Sequence, residues 1–227
     1  MNFPLHIKAV VIDLDGTLLN TAPDLAHAAE LMMADLGLPC PSLETISTYI
    51  GNGVSRLVKR VLTGEMEAEP EPALFERAIA AYQQHYGEHV ALHTRPYAGV
   101  VAGLDAFKAM GLRLACITNK AAQFTHPLLK ETGLFDYFEL ILSGDTLPKR
   151  KPDPMPLLYA CEYFGIAPRE LLLIGDSLND TQAARAAGCP VFCVPYGYNR
   201  GRPVSELDLD AVTPSLLEAS ELVLKAA

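Results

Sequence analysis

An α/β fold, a doubly wound parallel sheet carrying an inserted α-helical cap, is predicted by three observations. Short, continuously apolar runs recur along the chain, as in strands buried on both faces of a parallel sheet. From about Tyr97 onward these runs alternate with helical patterns that end at glycines. Between residues 20 and 95 only helical periodicity is found, with no convincing strand.

The first run is Ala9-Val10-Val11-Ile12, and four later ones resemble it: Leu112 to Ile117, Phe138 to Leu142, Leu171 to Ile174 and Val191 to Val194. Helices are predicted between them. One carries Val100, Val101, Leu104, Phe107 and Met110 and stops at Gly111; a second carries Leu157, Leu158, Cys161 and Phe164 and stops at Gly165. A third covers Asn179 to Ala187 and stops at Gly188, each glycine being good C-terminal punctuation. Pro127 lies inside the pattern from Ala121 to Thr132, so that helix either starts near Pro127 or runs through it with a kink. The whole reads as a Rossmann-like core.

In the central block, Pro23 suits the first turn of a helix with Leu25, Ala28, Ala29, Met32 and Leu36, ending at Gly37. Further helices are expected around Leu43 to Ile50, Val54 to Leu62 and Leu74 to Tyr86. The acidic, proline-broken stretch from Glu65 to Pro72 reads as an exposed loop between them. Residues 1–19 and 96–227 are thus expected to form the core, and residues 20–95 the cap.

Composition narrows the function. With 227 residues, half of them hydrophobic, and no Trp, the chain has material for an aliphatic core. A net charge of −9 argues against non-specific nucleic-acid binding, and an anionic ligand would need a local cation to draw it in. No stretch approaches the length of a membrane span. Cys40, Cys116, Cys161, Cys189 and Cys193 form no Cys-x-x-Cys pair and have no histidines at metal spacing, so free, mostly buried thiols in a reducing cytoplasm are expected. His85, His89 and His93 straddle the end of the cap around Gly87 and read as surface residues.

Chemistry enters with Asp13-Leu14-Asp15-Gly16-Thr17, at the end of the first apolar run. Alternate side chains of a strand point the same way, so Asp13 and Asp15 can face one site, and Gly16 permits a sharp turn behind them. A carboxylate nucleophile beside a second carboxylate can carry phosphoryl transfer through an aspartyl-phosphate. A lone Asp-x-Asp pair is equally a solvated strand end; three further groups add weight. Thr118-Asn119 follows the second run, where hydroxyl, amide and free N–H groups can hold phosphate oxygens, although both residues are also ordinary caps. Lys149-Arg150-Lys151 follows the third run; a lysine there can act as a point charge against phosphate and carboxylate, and spacing leaves open which cation enters. Gly175-Asp176-Ser177-Leu178-Asn179-Asp180 follows the fourth, placing Asp180 about one helical turn beyond Asp176. Mg²⁺ takes few protein oxygens and completes its octahedron with water and phosphate, which Asp13, Asp176 and a backbone carbonyl suit; Asp and Ser there also serve as N-caps. All four groups lie at the C-terminal ends of strands, where open α/β sheets bind ligands.

On these residues the chain resembles the haloacid dehalogenase superfamily of phosphatases. The pentad at 13–17, Thr118-Asn119, Lys151-Pro152 and Gly175-Asp176-x-x-x-Asp180 match its four motifs across nearly the whole chain. The resemblance implies Asp13 as nucleophile and Asp15 as general acid/base. It implies Gly16, Thr118, Asn119 and Lys151 as phosphate-binding residues, and Asp13, Asp15, Asp176 and Asp180 as the Mg²⁺ site, Asp15 through its backbone carbonyl. The helical insertion corresponds to the family's cap. Thr21-Ala22-Pro23-Asp24-Leu25-Ala26, Ile50-Gly51-Asn52-Gly53-Val54 and Tyr196-Gly197-Tyr198-Asn199 are similar to a subfamily acting on 2-phosphoglycolate, while Asn20 stands where relatives often carry Asp.

In the cap, Gly51-Asn52-Gly53 can present backbone N–H groups to the carboxylate of a small acid, with Arg56 adding charge, or can simply turn the chain between helices. The expected partner is a small-molecule phosphate ester, with no nucleic acid or membrane, for a monomer or homodimer. A sugar-phosphate phosphatase and a phosphomutase share every core residue and remain open. A non-catalytic phosphoryl-accepting or nucleotide-binding module would need neither Asp15 nor a cap, and no Gly-x-Gly-x-x-Gly or Walker loop is present.

Overall fold

The computed structural model describes residues 3–226. In chain order, β1 (Leu5–Ile7), β2 (Ala9–Ile12) and β3 (Leu19–Asn20) lead into α1 (Ala22–Asp35), α2 (Leu43–Tyr49), α3 (Val54–Thr63) and α4 (Pro72–Glu88). There follow β4 (Arg95–Pro96), α5 (Val100–Ala109), β5 (Arg113–Ile117), α6 (Ala122–Glu131), β6 (Leu140–Leu142), α7 (Met155–Phe164) and β7 (Leu171–Gly175). The chain closes with α8 (Leu178–Ala187), β8 (Val191–Cys193), β9 (Ala211–Val212), α9 (Leu216–Glu221) and β10 (Val223–Lys225).

The main sheet is six-stranded in the order β6-β5-β2-β7-β8-β9, and every pairing in it is parallel. Apart from Arg113, which opens β5, its strands are apolar because both faces are covered. Val10, Ile12, Leu114 and Leu172 share one cluster with Leu104 and Phe107 of α5 and with Leu216 of α9. Ala9, Val11, Ala115 and Leu173 point the other way, into a cluster with Leu157 and Phe164 of α7 and Ala184 of α8. Burying each large aliphatic side chain contributes about 1.5–3 kcal/mol, so the two-sided pattern dictates the doubly wound arrangement.

The order of the strands creates the site. From β2 the chain crosses to β5 and β6 on one side, then returns to β7 on the other, so β2 adjoins the switch point where ligands bind. In register, Ile12 pairs with Cys116 and with Ile174. The residues following those three positions therefore emerge together at the C-terminal edge.

The central block is helical, as expected. In α1, Leu25, Ala28, Ala29 and Met32 are buried, an i, i+3, i+4, i+7 stripe, and α4 answers with buried Ala78, Tyr82 and Tyr86. The Tyr82 hydroxyl donates to the Leu25 carbonyl at 3.1 Å. Ser42 caps α2 and Glu71 caps α4, each accepting from backbone N–H groups of the first turn. Asp24 fastens the two ends of the block: its carboxylate accepts from the N–H of His93 and from both the N–H and hydroxyl of Thr94.

Several elements depart from expectation. A two-residue antiparallel pair, β3 with β4, stands where the core passes into the helical block, too short for periodicity to reveal. β1 and β10 form a separate parallel pair, and β9 adds a two-residue edge strand. The third core strand starts at Leu140 rather than Phe138, because Phe135–Tyr137 closes a 3₁₀ turn before it. Pro127 lies inside α6, which runs from Ala122 to Glu131, so the helix does not start near Pro127. Four cysteines are buried and Cys40 is half-buried, all as free thiols. Of the three histidines, His89 and His93 are exposed, while half-buried His85 pairs with Asp35 at 2.7 Å. Among the described residues no helix is long and apolar enough to cross a membrane.

Candidate active site

Asp13 leaves the end of β2 with its N–H bonded to the Ile174 carbonyl at 3.0 Å, which locks it beside β7. Its carboxylate faces Lys151, whose Nζ lies 2.8 Å from Asp13 Oδ1 and 2.7 Å from Asp180 Oδ1. Lys151 is therefore the cation of the basic run that enters the site. Lys149 pairs instead with Asp153 at 2.9 Å, and Arg150 is exposed beside Gly53.

Asp176 follows β7. Its Oδ1 accepts from the Thr17 hydroxyl at 3.2 Å and its Oδ2 from the N–H of Tyr198. Gly16 makes that placement possible. Its φ is +86°, and a Cβ there would sit 2.5 Å from Asp176 Oδ2. Asp180, one turn into α8, is fully engaged: Oδ1 holds Lys151, while Oδ2 accepts from the hydroxyl and N–H of Ser177. The N-cap role and the site role coincide in this carboxylate.

Asp13, Asp176 and Asp180 are all buried and each offers an oxygen within 4.8 Å of the others. Burial pushes the Asp13 carboxyl up to about 7, Lys151 opposing the rise and Asp180 adding to it. Burial, with Asp180 and Asp13 nearby, raises Asp176 well above the usual carboxylate range. Burial alone would depress Lys151, but Asp13 and Asp180 outweigh it and the ammonium is raised. With all three carboxylates ionised, one ammonium would leave excess negative charge, which is why the protons are held so tightly. An all-oxygen donor set of this kind fits a hard divalent cation such as Mg²⁺.

Asp15 faces Lys120, a residue that the sequence reading missed. Lys120 Nζ lies 2.9 Å from Asp15 Oδ1 and 4.8 Å from the ring centre of Tyr86 on α4. It directly follows Thr118-Asn119, but only the β2–β5 pairing reveals that it meets a carboxylate 105 positions away. Tyr198 was also missed as a support: besides its bond to Asp176, its hydroxyl donates to Asn20 Oδ1 at 2.8 Å and accepts from the Ala22 N–H at 2.9 Å.

The expected residues do not all take the expected places. Asp13, Asp15, Thr118, Asn119, Asp176, Gly51 and Gly53 line one pocket between the sheet edge and the helical block. The Asn119 amide, however, is occupied by protein: it donates to the Lys151 carbonyl at 2.9 Å and the Gly51 carbonyl at 3.1 Å. Asn52 faces Arg200, whose guanidinium donates to Asn52 Oδ1 at 3.1 Å. Arg56 is the clear correction. It does not line the pocket, because Glu67 and Glu69 of the acidic loop hold it at 3.5 and 3.3 Å. The cap side of the pocket is instead apolar, formed by Leu25, Ile50, Val54 and Leu57 beside the two glycines.

A parallel sheet with its carboxylates and buried lysine at the switch point, under a helical cap, defines a class, and comparison with known proteins agrees. The family model for haloacid dehalogenase-like hydrolases matches residues 10–194, and the chain belongs to that family. It is a phosphoric monoester hydrolase: a phosphoglycolate phosphatase of Thiobacillus denitrificans is 85% identical over 225 residues, covering 99% of each chain. Another, from Nitrosospira multiformis, is 60% identical over 226 residues, covering 100% of each. The crystal structure of a predicted phosphoglycolate phosphatase from Haemophilus somnus is similar with a TM-score of 0.90 at 35% identity, covering 95% of this chain and 97% of that one.

Proposed function

We propose that this protein hydrolyses 2-phosphoglycolate to glycolate and phosphate. The observation that carries the substrate is the 85% identity, over nearly the full length, to a protein named phosphoglycolate phosphatase. The chemistry rests on the constellation around Asp13.

Asp13 attacks phosphorus and forms an aspartyl-phosphate while the bond to the glycolate oxygen breaks. Asp15 gives its proton to that departing alkoxide, then accepts one from the water that splits the intermediate, releasing phosphate and restoring the Asp13 carboxylate and the Asp15 acid. Lys151 holds the Asp13 carboxylate in line and supplies positive charge to a phosphoryl oxygen. The Thr118 hydroxyl and nearby N–H groups take the others. Asn119 acts indirectly, by fixing the Lys151 backbone. Mg²⁺, when bound, would offset repulsion between a carboxylate nucleophile and a dianionic phosphate. Asp13, Asp176 and the Asp15 carbonyl would hold it, with Asp180, already committed to Lys151 and Ser177, standing behind.

Residues 20–95 act as the cap over this site, their apolar wall excluding water during transfer. The five free cysteines support a cytoplasmic enzyme, and the −9 charge argues against a nucleic-acid partner, in keeping with a small-molecule ester. A panel of phosphate esters with Mg²⁺, scored for released phosphate and for isomerised product, tests the assignment. The highest kcat/KM is expected for 2-phosphoglycolate; a sugar phosphate in first place, or isomerisation of one, would replace it.

A further inference from the structure

We propose that Lys120 selects the substrate, recognising a carboxylate next to the phosphoryl group; the inference rests on the phosphatase reading above and names its specificity residue. A doubly anionic small acid needs positive charge at two places. Lys151 is committed to the phosphoryl end by its contacts with Asp13 and Asp180. Among the described residues lining the pocket, Lys120 is the one cation.

The cap's own cations are spent elsewhere. Arg56 is held by Glu67 and Glu69, and Lys59 by Glu69. The guanidinium of Arg60 donates to the carbonyls of Tyr49 and Met66. Leu25, Ile50, Val54 and Leu57, the cap's side chains at the pocket, bring no charge to it. The charge that meets the substrate's carboxylate therefore comes from the core.

Lys120 is built for this task. It is 3% exposed, and its carbonyl is pinned by the Gly144 N–H at 2.8 Å, so the side chain starts from a fixed point. Its ammonium has three donors. Asp15 lies at 2.9 Å and the Tyr86 ring occupies another side at 4.8 Å, an apolar neighbour that strengthens any remaining ionic contact by excluding water. One ammonium can hold Asp15 in position and face a substrate carboxylate at once. This ties the choice of substrate to the placement of the acid/base group.

The test compares 2-phosphoglycolate with ethyl phosphate, the same ester with a methyl in place of the carboxylate, in the wild type and in Lys120→Met. Misplacement of Asp15 slows both substrates and cancels in the ratio of their kcat/KM values. That ratio is expected to fall about ten- to a hundredfold in Lys120→Met, chiefly through KM for the acid, and to recover in part in Lys120→Arg. Should Lys120→Met fail to fold, Lys120→Gln carries the same comparison. A wild type that prefers the acid and a variant that keeps that preference would overturn the role of Lys120 alone. A wild type without the preference would overturn the substrate reading and this inference together.

Discussion

The side-chain amide of Asn119, beyond the end of β5, donates to the carbonyl of Gly51 in the loop between α2 and α3 at 3.1 Å. The same carbonyl accepts from Asn179 Nδ2, also at 3.1 Å. Two core amides thus converge on one carbonyl of the helical block, and one of them also fixes Lys151. The glycine loop is joined to the core by its backbone. The core thus engages this loop through the Gly51 carbonyl.

Removing these amides should have unequal effects. Asn179→Ala loses its bond to Gly51 and is expected to lower kcat/KM about two- to tenfold, the worth of one neutral hydrogen bond. Asn119→Ala should lose considerably more, and chiefly in kcat, because Lys151 is loosened as well. Steady-state kinetics on both variants check this. Equal losses would mean that Asn119 serves only the junction.

Gly16→Ala tests the packing behind Asp176. A left-handed backbone costs a non-glycine residue about 1–2 kcal/mol, and the new methyl must also displace the Asp176 carboxylate and the Tyr198 ring. The variant should unfold at lower denaturant concentration and bind Mg²⁺ more weakly by calorimetry. Unchanged Mg²⁺ affinity would show that Asp176 is not placed by this contact.

The raised carboxyl groups predict how the metal-free protein responds to pH. Asp13 is pushed up to about 7 in the folded state, against 3.8 for an unperturbed Asp, and Asp176 also lies high. As pH rises past the unfolded value, the unfolded chain gives up these protons first, while the folded protein still holds them. Stability contributed by the protonated groups is therefore present at low pH and is lost progressively up to about pH 7, where Asp13 itself ionises. Mg²⁺ held by these carboxylates would relieve their mutual repulsion, so its stabilising shift in Tm should be larger near about pH 8 than near about pH 5. Melting curves with and without Mg²⁺ measure this directly. A shift independent of pH would contradict it.

Much of this fold could be read from the chain because the central strands are apolar on both faces. Ala9 to Ile12 and Leu171 to Ile174 have no polar position to blur them, and glycines close α7 and α8. The short pieces were not readable: β3, β4 and β9 have two residues each, less than one period of alternation. In the site, Asp13 and Asp176 were legible because each stands just beyond a strand end, and Asp180 because it lies one helical turn after Asp176. Lys120 was not, since a lone lysine after Thr118-Asn119 looks like any turn residue until β5 is paired with β2. Arg56 was misplaced for the opposite reason. Helical periodicity gives the face on which a side chain lies, but not whether Glu67 and Glu69 will capture it first.

The central claim is that Asp13 receives the phosphoryl group and that Asp15 manages the protons. An aryl phosphate has a leaving group that needs little protonation, so Asp15→Asn should still phosphorylate Asp13 from it but lack the base that lets water split the intermediate. The decisive measurement is rapid acid quench of Asp15→Asn with an aryl phosphate, followed by peptide mapping of the trapped phosphate. Phosphate is expected to accumulate on the peptide containing Asp13, and to be absent when Asp13→Asn is introduced as well. Phosphate on any other residue, or no trapped phosphate while turnover continues, would contradict the account.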